Sequence, residues 1–271
     1  MSRALRQKFL IDVIVTSPPY NIDKGYNLYD DSISRQEYLL WMNTVASKSV
    51  KILRDNGSFF LNIGGTLMDP VIPFEVLREF LKAGYKLQNT IHWIKSISFE
   101  KDDLGRNSGL WDNLSVGHFK PITSNRFLTD AHEFIFHLTK TRRTFLDKLA
   151  IGVPYQDKTN IGRWKSAYRD SRDRGNVWFI PYQTIQKKRP HPAVFPEKLP
   201  KLCLLLHGVR PDLIVYDPFI GIGTTALACL SLDAKFVGTE MDKHYIRIAK
   251  ENLISRERDI KQEKQKRKNT H

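Results

Sequence analysis

Two short stretches of this sequence carry residues that could do chemistry, one near each end. The first is Thr16-Ser17-Pro18-Pro19-Tyr20-Asn21, which directly follows the apolar run Ile11 to Val15. Two prolines end a β-branched run because they cannot donate to a strand ladder and they hold the chain extended. The resulting rigid loop brings a hydroxyl (Ser17), backbone carbonyls and an aromatic face (Tyr20) together, which suits a flat ring with an amino group. A stiff turn with a core tyrosine is the alternative interpretation.

The second stretch is Val215-Tyr216-Asp217-Pro218-Phe219-Ile220-Gly221-Ile222-Gly223-Thr224-Thr225, a strand followed by a glycine turn and a helix start. Glycines let the backbone approach a ligand closely, and a helix N-terminus offers free N–H groups. Glu240 lies about 23 residues beyond Asp217, and an acidic residue at that spacing typically accepts hydrogen bonds from ribose hydroxyls. The stretch therefore predicts a site for a nucleoside-bearing cofactor.

A dinucleotide site is the alternative, because Gly221 to Ala226 fits the loose dinucleotide pattern with alanine in place of the third glycine. A dinucleotide fold needs a second βαβ half after the first. Only about 54 residues follow Asp217, enough for one strand and two helices. A permuted α/β domain that binds one nucleoside-bearing cofactor fits better.

The elements around the two stretches alternate between strand and helix. Ser34 to Glu37 forms a capping box, and apolar residues recur after it at helical spacing. We expect helices at residues 35–53, 73–83, 197–207 and 224–232, and strands at residues 11–15, 58–63, 85–95, 132–138 and 235–239. Short loops between alternating elements predict a doubly wound, mostly parallel α/β sheet, which binds ligands at the carboxyl ends of its strands.

Two segments lack this periodicity. Residues 96–130 predict a long loop, which is usually functional. Residues 139–176 predict an inserted basic region in which aromatic residues alternate with cations, a composition that suits phosphate and base contacts. The candidate cations are Arg142, Arg143, Lys158, Arg163, Lys165, Arg169, Arg172 and Arg174. A solvated basic face is the alternative.

The charge balance points to a polyanionic partner. The chain carries 43 Lys and Arg against 29 Asp and Glu, a formal charge of +14. The basic C-terminal segment Lys261 to Lys268 supplies only a net four of these charges.

The cysteine and apolar content favours an intracellular protein. Cys203 and Cys229 lie in apolar helical patterns without metal-type spacing, as reduced core thiols do. Met1 to Lys8 lacks the apolar stretch of a signal peptide, and no run reaches the roughly 18 to 20 apolar residues of a membrane span. We expect a cytoplasmic, nucleoid-associated protein.

The two stretches also carry a family resemblance. Thr16 to Asn21 resembles the catalytic Asp/Asn/Ser-Pro-Pro-Tyr/Phe motif of amino-directed DNA methyltransferases, and Asp217 to Thr225 resembles their S-adenosylmethionine loop. The order of the two motifs is similar to the beta class of restriction-modification enzymes. His191 to Pro196 resembles the segment that closes over the cofactor. The resemblance covers roughly residues 13–253.

The resemblance implies a Rossmann-like methyltransferase fold with S-adenosylmethionine as cofactor. The catalytic candidates are Ser17, Pro18, Pro19 and Tyr20. The cofactor-binding candidates are Asp217, Phe219, Gly221, Gly223, Thr224, Glu240 and His191, while Asn21 and Asp23 either continue the catalytic loop or form turns. We expect a catalytic half at residues 1–138, a target-recognition region at 139–176, a cofactor-binding half at 177–253 and a basic tail at 254–271.

The resemblance also suggests the substrate. Ser at the first motif position is typical of cytosine-N4 enzymes, whereas Asp is commoner in adenine-N6 enzymes, so we expect cytosine and keep adenine as the alternative. A ring-carbon mechanism is disfavoured because neither cysteine follows a proline. Two further alternatives are a non-catalytic DNA-binding protein on this fold, and methylation of RNA or a protein amide.

Expected partners are double-stranded DNA and a cognate restriction endonuclease that acts separately, with no membrane, for a monomer or homodimer. Family members usually carry a Gly-Asp segment ahead of the catalytic strand, where this sequence has only Met1 to Leu10. A truncated start or a poor substitute would each lower cofactor affinity.

Overall fold

The structure, a computed structural model, describes residues 10–104, 112–117, 122–163, 169–182 and 194–269. Its elements in chain order are β1 (Ile11–Thr16), α1 (Arg35–Ile52), β2 (Leu53–Ile63), α2 (Ile72–Lys82), β3 (Lys86–Ile94), β4 (Ser96–Phe99), β5 (Leu114–Gly117), β6 (His132–Thr139), β7 (Val177–Phe179), α3 (Lys198–His207), β8 (Ile214–Asp217), α4 (Thr224–Ser231), β9 (Lys235–Gly238) and α5 (Lys243–Asn269). Short 3₁₀ turns occur at Lys101–Leu104 and Lys158–Asn160.

Seven strands form one sheet in the order β7-β3-β6-β2-β1-β8-β9. Strand β6 is antiparallel to both of its neighbours, and the other neighbouring pairs are parallel. The predicted mostly parallel α/β sheet is confirmed.

Helix α1 begins where the sequence predicts. The Ser34 side chain accepts from the Glu37 backbone N–H, and the Glu37 side chain accepts from the Ser34 N–H. These reciprocal bonds satisfy two N–H groups that a helix start otherwise leaves unpaired. After the helix, the pairing of β1 with β2 jumps from Leu53 to Ser58, so β2 is irregular between these two residues.

Helices cover both faces of the sheet. The side chains of β1 alternate between two apolar clusters: Ile14 packs with α1 and α2, whereas Val13 and Val15 pack with α3 and α4. All six residues of β1 are buried, as expected for a strand with a helical layer on each side. Cys203 and Cys229 are buried and unpaired.

Two segments differ from the expected organisation. The long loop at residues 96–130 contains an antiparallel pair, β4 with β5, whose four-residue strands are too short to give a periodic signal. Residues 254–269 continue helix α5 rather than forming a separate tail. The helix continues because this segment contains no Gly or Pro and places Glu257 four residues before Lys261, a stabilising spacing. None of the described helices is long and apolar enough to cross a membrane.

The order of the strands brings the two chemical stretches together. Strand β1 pairs in parallel with β8 through Val13 with Val215 and Ile14 with Tyr216. Their carboxyl ends therefore meet at one rim of the sheet, and the Pro-Pro loop lies beside the glycine turn.

Candidate active site

A cavity of about 1070 Å³ opens at this rim. Both loops contribute to its wall, as do residues that follow β2, β3 and β9. Its volume is slightly above the usual range for small-molecule sites, about 300 to 1,000 Å³, so it has room for more than one flat ring system. The predicted site residues on its wall are Ser17, Pro18, Pro19, Tyr20, Phe219, Gly221, Thr224 and Glu240.

Asp217 lies beneath the cavity rather than on its wall. Its carboxylate is 2% exposed and accepts from Thr16 Oγ1 at 2.6 Å, from Thr225 Oγ1 at 2.6 Å and from the Phe219 backbone N–H at 3.0 Å. Burial raises the pKa of Asp217 to about 6 in spite of these three donors. The carboxylate therefore connects the end of β1 to the glycine turn and to helix α4.

The glycine turn has the backbone that the sequence predicts. Gly221 and Gly223 have φ angles of 51° and 91°, in the left-handed region that favours glycine. A Cβ on Gly223 would lie 3.1 Å from the Ala249 Cβ of α5, so this glycine also permits close helix packing. Gly223 is not on the cavity wall, and it supports the turn from behind.

Glu240 closes the cofactor side of the cavity. Its Oε2 accepts from the Gly221 N–H at 3.0 Å, and its Oε1 accepts from the backbone N–H groups of Met241 and Asp242 at 2.9 and 3.0 Å. These bonds fix the carboxylate and leave further lone pairs for ligand hydroxyls.

Aromatic side chains form another wall. Phe219 packs edge-on against Trp41 with ring centroids 5.4 Å apart, and Trp41 packs on Tyr29 at 5.1 Å. The Tyr29 hydroxyl is buried without a hydrogen-bond partner among the described residues. Aromatic faces attract a cationic group such as a sulfonium. The turn, the fixed carboxylate and this wall therefore fit a cofactor with ribose hydroxyls and a positive sulfur.

The opposite wall contains a polar network around Ser17. Ser17 Oγ lies 2.8 Å from Tyr20 Oη, and Tyr20 Oη donates to Glu133 Oε2 at 2.9 Å. Asn62 Nδ2 lies 2.7 Å from Tyr20 Oη and 2.9 Å from Glu133 Oε2. Lys95 Nζ contacts the other Glu133 oxygen at 3.3 Å. Burial and the Glu133 carboxylate raise the pKa of Tyr20 above its ordinary value, so its hydroxyl keeps its proton.

The loop after Tyr20 is held by a buried carboxylate. Asp31, which is 3% exposed, accepts from the backbone N–H groups of Asn21, Ile22 and Lys24 at 2.9 to 3.1 Å. Asn21 and Asp23 both have φ angles of 57°. Of their two predicted roles, these left-handed angles favour turn formation.

The predicted DNA-contact residues do not lie together. Strand β6 runs antiparallel, so its last residue, Thr139, pairs with Lys86 at the rim opposite the cavity. Arg142 and Arg143 follow there, and the Arg142 N–H donates to Thr139 Oγ1 at 2.9 Å. These two arginines are therefore remote from the cavity.

The other described candidates belong to a lobe at the edge of the sheet, residues 153–163 and 169–176, joined by the bridge between Val153 and Arg172. The lobe leads into edge strand β7 and then to Tyr182 on the cavity wall. Some of its cations are paired internally: Lys158 contacts Asp170 at 2.6 Å, and Arg174 Nε donates to the Ile151 carbonyl. The exposed arginines are Arg163, Arg169 and Arg172.

Two predicted residues, His191 and Lys165, lie outside the described residues. Of the segment expected to close over the cofactor, Val194, Phe195 and Pro196 are described, and the first two line the cavity.

The sequence analysis missed Asn62, Lys95 and Glu133. A signal existed for Asn62, a polar residue inside the buried run Phe59 to Ile63 at the carboxyl end of a strand. Glu133 reaches the same rim only because β6 runs in the opposite direction, which its sequence does not reveal.

This fold and this site define a class of protein. The model of the N6/N4 methyltransferase family, described as DNA methylase, matches residues 11–251, and the chain belongs to this family. The family uses S-adenosylmethionine.

Individual relatives agree. The chain is 29% identical over 253 residues to the Type II methyltransferase M.BglII of Bacillus subtilis, across 88% of this chain and 62% of M.BglII, so it spans less than two thirds of that relative. PvuII DNA methyltransferase, described as cytosine-N4-specific, superposes with a TM-score of 0.61 at 21% identity, over 89% of this chain and 78% of that one. The M1.HpyAVI–SAM complex gives 0.54 at 20% identity, over 93% of each chain. At these identities the two structures show the shared fold.

Proposed function

We propose that this chain transfers a methyl group from S-adenosylmethionine to the exocyclic N4 amine of cytosine in duplex DNA, after the base has flipped out of the helix. The observation that carries the proposal is that Ser17 of the Pro-Pro loop and Gly221 of the glycine turn line one cavity, at the ends of adjacent parallel strands. An acceptor amine at the first loop would face a methyl donor at the second.

The protein must activate the amine, because its lone pair is delocalised into the base ring. The bound cofactor supplies a methyl group already activated by its sulfonium. If Ser17 Oγ and the Pro18 carbonyl accept the two amine hydrogens, the nitrogen can pyramidalise and direct its lone pair outward. The neighbouring Pro19 carbonyl is already engaged, since it accepts from the Tyr38 hydroxyl at 2.8 Å.

Cytosine is favoured over adenine by the residue at the first motif position. Ser17 is a neutral acceptor there, as is typical of the cytosine-N4 enzymes that the motif resembles. The cytosine-N4-specific PvuII enzyme, which shares the fold, supports the same choice. Both bases present two amine hydrogens to Ser17 and Pro18, so only identification of the methylated nucleoside distinguishes cytosine from adenine as the substrate.

Duplex DNA is the proposed substrate because the chain is strongly basic and carries exposed arginines in the edge lobe. Arg163, Arg169 and Arg172 lie in the edge lobe, which leads to Tyr182 on the cavity wall. Cations there can contact phosphates while a flipped base enters the cavity. Stacking on Tyr20 would offset part of the few kcal/mol that unstacking costs.

The test uses labelled S-adenosylmethionine with duplex DNA, followed by digestion and mass spectrometry of the nucleosides. We expect N4-methylcytosine. If the product is N6-methyladenine, the substrate base is adenine rather than cytosine. If no methyl group is transferred to DNA, the non-catalytic DNA-binding alternative is favoured. Ser17→Ala should lower turnover about 10²-fold or more while cofactor binding is kept, because only the amine contact is lost. Ser47→Ala, on α1 and away from the cavity, is the matched control.

A separate experiment tests the DNA surface. Arg163→Ala with Arg169→Ala should weaken DNA binding and reduce its salt dependence, since each phosphate contact releases counterions. Arg142→Ala with Arg143→Ala removes the same charge from the opposite rim. An equal loss in both double variants would contradict the assignment of the edge lobe.

A further inference from the structure

The polar network beside the cavity contains a continuous chain of hydrogen bonds that starts at Ser17. It runs from Ser17 Oγ to Tyr20 Oη at 2.8 Å and from there to Glu133 Oε2 at 2.9 Å. Ser17, Tyr20 and Glu133 all line the cavity, whereas Glu133 and Tyr20 are separated by 113 positions in the sequence. These hydrogen bonds therefore connect Ser17, where the substrate amine would lie, to the Glu133 carboxylate on β6.

The carboxylate fixes the direction of this chain. An ionised carboxylate can only accept, so Tyr20 must donate its hydroxyl proton to Glu133. Asn62 Nδ2 donates to Tyr20 Oη at 2.7 Å and to Glu133 Oε2 at 2.9 Å, and Ser17 Oγ is a third, longer contact at 3.4 Å. Tyr20 Oη then has one lone pair left, which accepts from Ser17. As a result, Ser17 Oγ presents its lone pairs, rather than its proton, to a group in the cavity.

The position of Glu133 is set by its neighbours. Lys95 Nζ contacts Oε1 at 3.3 Å, whereas Tyr20 contacts Oε2, and the Lys95 and Glu133 side chains are only 18% and 11% exposed. A Cβ on Gly64 would lie 2.9 Å from Glu133 Cγ, so the side chain passes through space that a larger residue at this position would take. Such a partly dry site strengthens each electrostatic interaction within it.

We propose that Glu133 is the terminal proton acceptor of the methyl-transfer reaction, reached from the substrate amine through Ser17 and Tyr20. The inference rests on the amine methylation proposed above, and it holds for cytosine and adenine alike.

The proton balance requires such an acceptor. The amine nitrogen forms a bond to the methyl carbon as the carbon–sulfur bond breaks, and the nitrogen is left with a positive charge and two protons. One of these protons moves to Ser17 Oγ, the Ser17 proton moves to Tyr20 Oη, and the Tyr20 proton moves to Glu133 Oε2. The sulfonium charge and the carboxylate charge are both neutralised, and each hydroxyl ends with one proton. No oxidant or further reactant is needed.

The experiment compares Glu133→Gln, Tyr20→Phe and the double variant in single-turnover methyl transfer at saturating DNA and cofactor. Glu133→Gln keeps the shape of the side chain and removes its basicity, whereas Tyr20→Phe keeps the ring and breaks the chain. Each should lower the rate by about 10²-fold or more, with cofactor affinity changed by less than about threefold. The double variant should be no slower than the slower single variant, because both break one relay.

A spectroscopic readout tests the hydrogen bond between Tyr20 and Glu133 directly. In the protein without cofactor, the ¹³Cζ resonance of labelled Tyr20 should shift in Glu133→Gln, because the phenol loses its charged acceptor. The matched control is Glu75→Gln, which removes an ion-paired carboxylate on α2 away from the cavity.

A Glu133→Gln variant with the wild-type rate, or single effects that multiply in the double variant, would overturn the relay. An unshifted Tyr20 resonance would do the same. These results differ from failure of the proposed function, in which the wild type itself transfers no methyl group to DNA.

Discussion

Replacing Thr16 by Val tests whether the connection between the two loops governs catalysis. Thr16 is 1% exposed and donates to Asp217 at 2.6 Å. Valine has nearly the same shape but cannot donate. Thr225 makes an equivalent 2.6 Å bond to the other oxygen of the same carboxylate and is 2% exposed. Thr225→Val is therefore a matched control, since it leaves the connection to β1 intact.

The two variants should lose similar stability and different activities. A hydrogen bond to a charged group contributes about 1.5 to 3 kcal/mol, so the free energy of unfolding of each variant should be lower by that amount. Thr16→Val also frees the end of β1 from the glycine turn. Misplacement of reacting groups by about 1 Å can cost about 10²-fold, so we expect its methyl-transfer rate to fall about 10- to 100-fold. Thr225→Val should mainly weaken cofactor binding, because Thr225 lies in the first turn of α4.

Denaturant unfolding measures the stability of each variant, calorimetry its cofactor affinity and single-turnover transfer its rate. If Thr16→Val kept the wild-type rate after losing stability, the loops would be aligned by the strands alone. Equal rate losses in both variants would show that the carboxylate acts through general stability rather than through this connection.

Two further perturbations follow from buried groups. Burial lowers the pKa of His137 to about 3 and of His207 to about 4. Below about pH 6.5 the unfolded chain therefore binds more protons than the folded protein, and the free energy of unfolding should decrease as the pH is lowered. From pH 7 to pH 5 each histidine should lower the free energy of unfolding by about 2 kcal/mol, and the Asp217 carboxylate should offset about 1 kcal/mol of the total. Denaturant unfolding of His207→Asn should therefore show about half of the histidine effect. Gly64→Ala should lower the methyl-transfer rate about tenfold or more, because the added Cβ would displace Glu133. Gly25→Ala is the control and should keep the rate, since a Cβ there would have no atom within 4 Å. An unchanged rate in Gly64→Ala would show that the reaction tolerates displacement of the Glu133 carboxylate.

Local sequence determined most of the elements and both loops. The capping box at Ser34 and the apolar periodicity after it are local features, and helix α1 formed where they predict. The prolines after β1 and the glycines after β8 constrain their own backbones, so the shapes of these turns follow from neighbouring residues.

The local sequence pattern could not predict which strands pair in the sheet or in which direction each strand runs. The hairpin of β4 and β5 depends on contacts between two four-residue strands, and strand direction placed Arg142 at the far rim of the sheet. Asp217 was predicted as a cofactor ligand, yet the tertiary structure buried it under the cavity with Thr16 and Thr225.

The sequence by itself therefore determined the class of fold, the two loops and the residue types that each loop presents, because these depend on the backbone preferences of adjacent residues. Only the tertiary structure decided which side chains meet. Ser17 and Tyr20 share one loop, whereas Asn62 comes from β2 and Glu133 from β6, and Glu133 meets Tyr20 and Asn62 because β6 runs against its neighbours in the sheet.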